Sequence, residues 1–453
     1  MKFWMISLLA LTLCACQQTR EQYTEVMPPQ LFTPAQPPMQ VQVPPPPPLT
    51  VASQQLASSV YGHWREQGSG PEETRLQLVL LQTGAIDGAQ WLAAALQQQL
   101  RDLALDSADA CYESIAVQYS LHSLVLEANC PERSDLGLGP MISAWQQLPR
   151  DFERLSRSVR LQKHIEAFSG RDIERLWRQA VLGQSHPYLR ALEQETPKDE
   201  GELARWRHQA LAGGSWHLLT GAAAHLPAAS SPLVAALGKL SGNKPRQGTA
   251  KAGLLPDNNH KRILLLDSPG AVQSQVRLGY ALAPEGDSRN CELLAALLGR
   301  GGSGRLYLDL REQRGLTYGV YGSCIDNPLS RSLKFQGATA TLSTGAFVRG
   351  IVDHLALLAA KGSTEAELRR AEGFLNGHEW LWQDAPGGWQ TRYRHQLERG
   401  RSNGHAPREL ALFNSDNAAL LAQAPIIVIK GDAARIEADL RQALPDFQLQ
   451  RAE

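Results

Sequence analysis

Gly299-Arg300-Gly301-Gly302-Ser303-Gly304-Arg305-Leu306-Tyr307-Leu308-Asp309-Leu310-Arg311-Glu312-Gln313-Arg314-Gly315-Leu316-Thr317-Tyr318-Gly319-Val320-Tyr321 reads as loop, helix, tight turn and strand, in that order. The glycines supply backbone freedom ahead of a helix. Leu306, Tyr307, Leu308 and Leu310 give that helix its apolar content, and Arg311, Glu312 and Arg314 its polar end. Gly315 stands where a helix C-cap wants a left-handed residue. Thr317, Tyr318, Val320 and Tyr321 read as strand. A phosphate-binding loop is the poorer reading, because no Gly-Lys-Ser/Thr follows and no nucleotide-type βαβ unit opens here.

The surrounding chain extends the pattern. Ile263-Leu264-Leu265-Leu266-Asp267-Ser268-Pro269-Gly270-Ala271-Val272-Gln273-Ser274 is a strand running into a turn, Arg277-Leu278-Gly279-Tyr280 continues it, and residues 291–298 form the helix before the glycines. The 453 residues have room for two or three domains. An apolar content of 43% and a charged content of 20% are ordinary for a globular protein. A formal net charge of zero argues against a protein that works on nucleic acid through bulk electrostatics.

Taken in order, these segments resemble the C-terminal domain of the pitrilysin/insulinase-type zinc metallopeptidases, whose signature runs LGGG..SRLF..LRE.RGLAYSV. The resemblance covers residues 261–453. It implies an α+β fold of two homologous domains, each an antiparallel sheet packed with helices in the family's α/β roll. The first half fits the same plan: strand at 75–82, helix at 89–105, hairpin at 111–130, helices at 140–147, 150–167 and 172–182, a His186-Pro187-Tyr188 turn, helix at 200–211 and strand at 216–223. His186 reads as a structural turn residue. Residues 51–70 read as a lead-in helix. The two units are expected at 51–240 and 261–453, joined by a Gly-, Pro-, Asn- and Lys-rich linker at 241–260. In the second unit, strand is expected at 332–342, helix at 345–360, a Thr364/Glu367 capping box on the next helix, and a closing strand at 426–430.

The N-terminus is read apart from the fold. Met1-Lys2, an apolar run over 3–13, and Leu13-Cys14-Ala15-Cys16 resemble a bacterial lipoprotein signal with Cys16 as the lipidated residue, so that 1–16 is signal and anchor. Gln17 resembles an outer-membrane sorting residue, with the globular part in the periplasm. Residues 17–50 contain Pro28-Pro29, Pro37-Pro38 and the run Pro44 to Pro48, and read as an extended tether of up to about 100 Å. A ligand for a proline-recognising domain is the rival reading of that stretch. With Cys14 lost and Cys16 lipidated, Cys111, Cys130, Cys291 and Cys324 remain in an oxidising compartment. Cys111 and Cys130 flank the hairpin and are expected to pair, as are Cys291 and Cys324, which bracket the glycine-rich signature.

The chemistry expected from the resemblance is missing from the first half. Active members carry His-x-x-Glu-His on a helix, where i and i+4 share one face and grip zinc, with the glutamate as base. Alignment places that motif on Trp91-Leu92-Ala93-Ala94-Ala95-Leu96-Gln97-Gln98, so the ligand positions become Ala94 and Gln98 and the base position Gln97. Alanine cannot ligate, and an amide is a poor base and a poor zinc ligand. Neither His-x-x-Glu-His nor His-Glu-x-x-His occurs in the chain. No catalytic residue, metal ligand or cofactor is therefore assigned to it. In the second half, the arginine and tyrosine that the family uses to hold substrate match Arg314 and Tyr318. The profile resembles the non-zinc subunit of a two-chain peptidase: a zinc-free, envelope-anchored chain contributing Arg314 and Tyr318, with a His-x-x-Glu-His partner bringing the metal and a peptide as substrate. The alternative is a catalytically inactive peptide- or protein-binding scaffold in the cell envelope.

Overall fold

The computed structural model describes residues 43–66, 74–107, 109–168, 170–183, 186–192, 196–241, 261–300, 302–400 and 408–452. Cys14, Cys16, the first part of the expected tether and nearly all of the expected linker lie outside these residues.

The first half runs β1 (Val51–Ala57), β2 (Val60–Arg65), β3 (Arg75–Leu81), α1 (Ala89–Ser107), a one-turn helix at Cys111–Ser114, β4 (Ala116–Tyr119), β5 (Ser123–Asn129), α2 (Leu138–Gln146), α3 (Phe152–Phe168), α4 (Arg171–Leu182), α5 (Pro187–Leu192), α6 (Glu200–Ala212), β6 (Ser215–Thr220) and α7 (Pro232–Leu240). The second runs β7 (Arg262–Asp267), β8 (Gln273–Leu282), α8 (Ser288–Gly299), a π-helical segment (Tyr307–Gln313), β9 (Thr317–Asn327), β10 (Ser330–Ala340), α9 (Thr344–Lys361), α10 (Glu365–Asp384), α11 (Gly388–Arg399), α12 (Leu410–Leu421), β11 (Ile426–Gly431), α13 (Ala433–Ala443) and β12 (Gln448–Ala452).

Residues 51–65 are a hairpin, where the sequence suggested helix. Their Ala and Gln content favours helix in isolation, yet β2 pairs parallel with β6 and antiparallel with β1. The sheet contacts override a weak local preference. Thr364 and Glu367 form the capping box at the start of α10.

The two sheets have the orders β1-β2-β6-β3-β5-β4 and β12-β7-β11-β8-β10-β9. Five strands match one for one: β2, β3, β4, β5, β6 against β7, β8, β9, β10, β11, with the same neighbours. The expected duplication is thus legible in topology. Each sheet is mixed rather than wholly antiparallel. β6 and β11 return after long helical crossovers and lie parallel to β2 and β7, as such connections allow. β11 sits inside its sheet, and β12 takes the edge.

Each sheet carries its main core on one face, one built around Trp91, Trp145 and Trp216 and the other around Phe335, Phe347 and Phe413. The opposite faces are covered by exchange. From the first half, α4 packs Ile173, Trp177 and Val181 on Ala281 and Val428 of the second sheet. From the second half, α11 packs Trp389 on Val79, Val125 and Leu219 of the first. The disulfides Cys111–Cys130 and Cys291–Cys324 are both formed.

Candidate functional site

The signature stretch gains its shape from close approach. A β-carbon on Gly299 would lie 2.6 Å from the Gly322 nitrogen, so α8 can end directly against β9. After the π-helical turn, Gly315 adopts φ +61°, the left-handed conformation suited to its place. The chain then enters β9 at the edge of the second sheet.

Arg314 and Tyr318 face opposite ways across that turn. The Arg314 side chain is 3% exposed and donates from Nε and Nη2 to the two Asp309 carboxylate oxygens, 2.8 Å each. His354 of α9, fully buried, reaches the same carboxylate at 2.7 Å. This is a bidentate pair with a third partner, which fixes the π-helical segment against the core. Tyr318 is 81% exposed on the strand edge. The Arg311 guanidinium lies 4.8 Å from its ring centre and also 4.8 Å from that of Tyr307. The cation beside the exposed phenol is therefore Arg311, which in the sequence reads only as part of the polar end of the helix. Its place four residues after Tyr307 on one helix face is a signal the sequence carries.

On α1, the positions aligned with the zinc motif bond to backbone. Gln97 accepts from Val117 N at 3.2 Å and donates to Ile115 O at 3.4 Å, pinning β4 at the sheet edge. Gln98, buried, donates to Asp151 O at 3.0 Å, just before α3. Ala94 has no donor atom. These side chains do not fit a zinc ion: both Gln97 amide atoms are engaged, and no ligand nitrogen or carboxylate is present.

Beside ion pairs from Asp172 and Glu174 to Lys430, Lys334 and Arg277, the junction between the halves contains neutral histidines. His186 presents Nε2 to Leu329 O (3.0 Å), and Leu329 N donates to the Tyr188 hydroxyl (2.9 Å), so the His-Pro-Tyr turn satisfies both backbone groups of the β9–β10 turn. Tyr188 in turn meets His122 Nε2 at 2.7 Å. Further along, Ser53, His63, His217 and Ser215 form a continuous chain at 2.8, 2.9 and 2.9 Å. Tyr393 of α11 reaches His63 Nδ1 at 3.2 Å. Burial lowers the pKa of His63 to about 4, and burial with the neighbouring His63 lowers that of His217 to about 3. Sequence reasoning had no means to pair them, since 154 residues separate the two.

Residues 232–373 match the family model described as "Peptidase M16 inactive domain". An uncharacterised zinc protease of Mycobacterium leprae is 31% identical over 163 residues, 35% of either chain. One of Mycobacterium tuberculosis is 34% identical over 135 residues, 29% of this chain and 30% of its own. The chain thus spans about a third of the length of the curated relatives it matches. Among solved structures, a peptidase M16 inactive domain from Pseudomonas fluorescens superposes with a TM-score of 0.65 at 17% identity, over 84% of this chain and 98% of that one. A protease from Helicobacter pylori does so at 0.66 and 12%, over 84% and 99%. These two likenesses show the fold.

Proposed function

We propose, from the match of residues 232–373 to the peptidase M16 inactive-domain model, that this chain is the non-catalytic half of a two-chain endopeptidase. The partner would bring His-x-x-Glu-His and zinc. This chain would offer Tyr318 to an extended peptide, its phenol and the Arg311 guanidinium both suited to a substrate carbonyl and the charge that develops on it. Arg314 would act at the same site from behind, by holding the turn that presents Tyr318. Cys16 would anchor the chain by lipid to the outer membrane, with the folded part in the periplasm.

The observation that carries this reading is the contrast between the halves. The substrate-side tyrosine stands exposed at the strand edge, while the metal-side positions have become backbone pins. The test is to purify the chain from its own membranes, identify a co-purifying chain with His-x-x-Glu-His, and assay both on an unstructured peptide. Neither chain alone should cleave; together they should, and Tyr318→Ala should lower kcat/KM about tenfold or more. Cleavage by this chain alone, or a pair indifferent to Tyr318→Ala, overturns the proposal.

The same two glutamines favour a second reading, a peptide-binding scaffold in the envelope with no peptidase partner. On that reading the co-purifying chains lack the zinc motif and no mixture cleaves.

A further inference from the structure

The last residues of the expected tether are part of the fold. Val43, Pro46 and Leu49 turn inward, while Pro44, Pro45, Pro47, Pro48 and Thr50 are exposed. That is a period of three, the repeat of a polyproline II helix with one face against a surface. Leu49 packs on the cluster of Val79, Val125, Leu219 and Trp389. The other contact is with α10, where three side chains donate to three carbonyls: Asn376 Nδ2 to Val43 O (2.9 Å), Trp380 Nε1 to Pro44 O (2.9 Å) and Gln383 Nε2 to Pro47 O (3.4 Å).

The chemistry of the two sides is matched. A proline run has no backbone N–H, so its carbonyls are its only hydrogen-bonding groups. The α10 strip meets them with donors, and the indole N–H can only donate. Spacing agrees as well. The four steps from Val43 to Pro47 rise about 12 Å in polyproline II, and the seven steps from Asn376 to Gln383 rise about 10.5 Å in a helix, so the two sides span a similar length in the same direction. Proline also arrives with its φ already fixed, which lowers the entropy lost on docking.

We propose that this face of α10 is a recognition site for proline-rich, extended peptide, filled in this chain by its own residues 43–49 and open to a proline-rich segment of another chain when that strap is displaced. The strap passes from α10 into β1, so its seat spans both halves, and occupancy from outside would compete with an internal ligand at high effective concentration.

The test uses the full chain and a fluorescent peptide, Val-Gln-Val-Pro-Pro-Pro-Pro-Pro-Leu-Thr, followed by anisotropy. The unaltered protein should bind it weakly. The triple variant Pro45→Gly, Pro46→Gly, Pro47→Gly should bind it at least about tenfold more tightly, since a site filled internally nine-tenths of the time shows one-tenth of its affinity. Adding Trp380→Phe, which keeps the ring and removes the N–H, should reverse most of that gain. No gain in a folded triple variant, or a gain that Trp380→Phe leaves intact, overturns the proposal. Should the triple variant not fold, Trp380→Phe alone in the full chain decides. A proline-specific endoprotease should then nick residues 44–48 about fivefold faster, the effect of one hydrogen bond lost. An unchanged rate overturns the site.

Discussion

Arg314 and Tyr318 lie four residues apart and have opposite fates. Removing the Arg314 guanidinium leaves the Asp309 carboxylate, 1% exposed, with His354 alone. Breaking one side of such a buried pair costs about 3 kcal/mol. Arg314→Ala should therefore lower the unfolding free energy by about that amount in a urea titration, whereas Tyr318→Ala should stay within about 0.5 kcal/mol of the parent. Equal stability losses would contradict the inward and outward placements. The identity of both residues was legible in the sequence, and so were the glutamines at the metal positions. Their orientation was not, because Arg314 and His354 come to share the Asp309 carboxylate only once the π-helical segment and α9 are packed together.

At the scale of elements, the exchanged helices decide how the halves hold one another. Trp389 of α11 is buried on a sheet to which it has no close sequence connection. Trp389→Ala should cost about 3–5 kcal/mol as a large buried aromatic is lost, and should free α11 before either main core unfolds. Hydrogen exchange would show this as faster exchange in α11 and β3 with α8 and α9 unchanged. Uniform loss of protection would refute it. The helix at 172–182 was readable, but not the sheet it would cover. Both sheets leave one face open, and periodicity says only that a partner is needed. The hairpin at 51–65 was misread for a related reason: its apolar content is thin, and its strand character comes from β6, far along the chain.

Across the whole molecule, the junction combines ion pairs such as Lys334–Glu174 with histidines that must stay neutral. Desolvation lowers the pKa of His63, His217, His122 and His186 below the free value of 6.5. Above pH 6.5 the folded and unfolded chains are alike in charge at these sites, and the stability is fully present. As pH falls toward 4, the unfolded chain takes up protons the folded one refuses, and stability drains away. His63, with a pKa of about 4, accounts for about 3 kcal/mol of that loss. Burial pushes the Glu174 carboxyl up, but Lys334, Arg178 and Arg277 outweigh it and hold it below its usual range, so its contribution is lost at still lower pH. Melting temperature should thus fall steadily from pH 6.5 to 4. His63→Gln together with His217→Gln should flatten the fall, and an unaltered slope would rule the pair out as its source.

Local order was written in the chain itself: the glycine-rich turn, the capping box, both cysteine pairings, and the loss of every zinc-gripping side chain from α1. Such features depend on neighbours within one supersecondary unit, the cysteine pairs being 19 and 33 residues apart, or on which atoms a side chain possesses. Three matters needed the folded molecule: which way Arg314 turns, which sheet each exchanged helix covers, and the seating of residues 43–49 on α10. Each depends on partners in other elements, from Asp309 and His354 around Arg314 to α10 more than three hundred residues beyond the strap, and only the packed arrangement brings them within reach of one another.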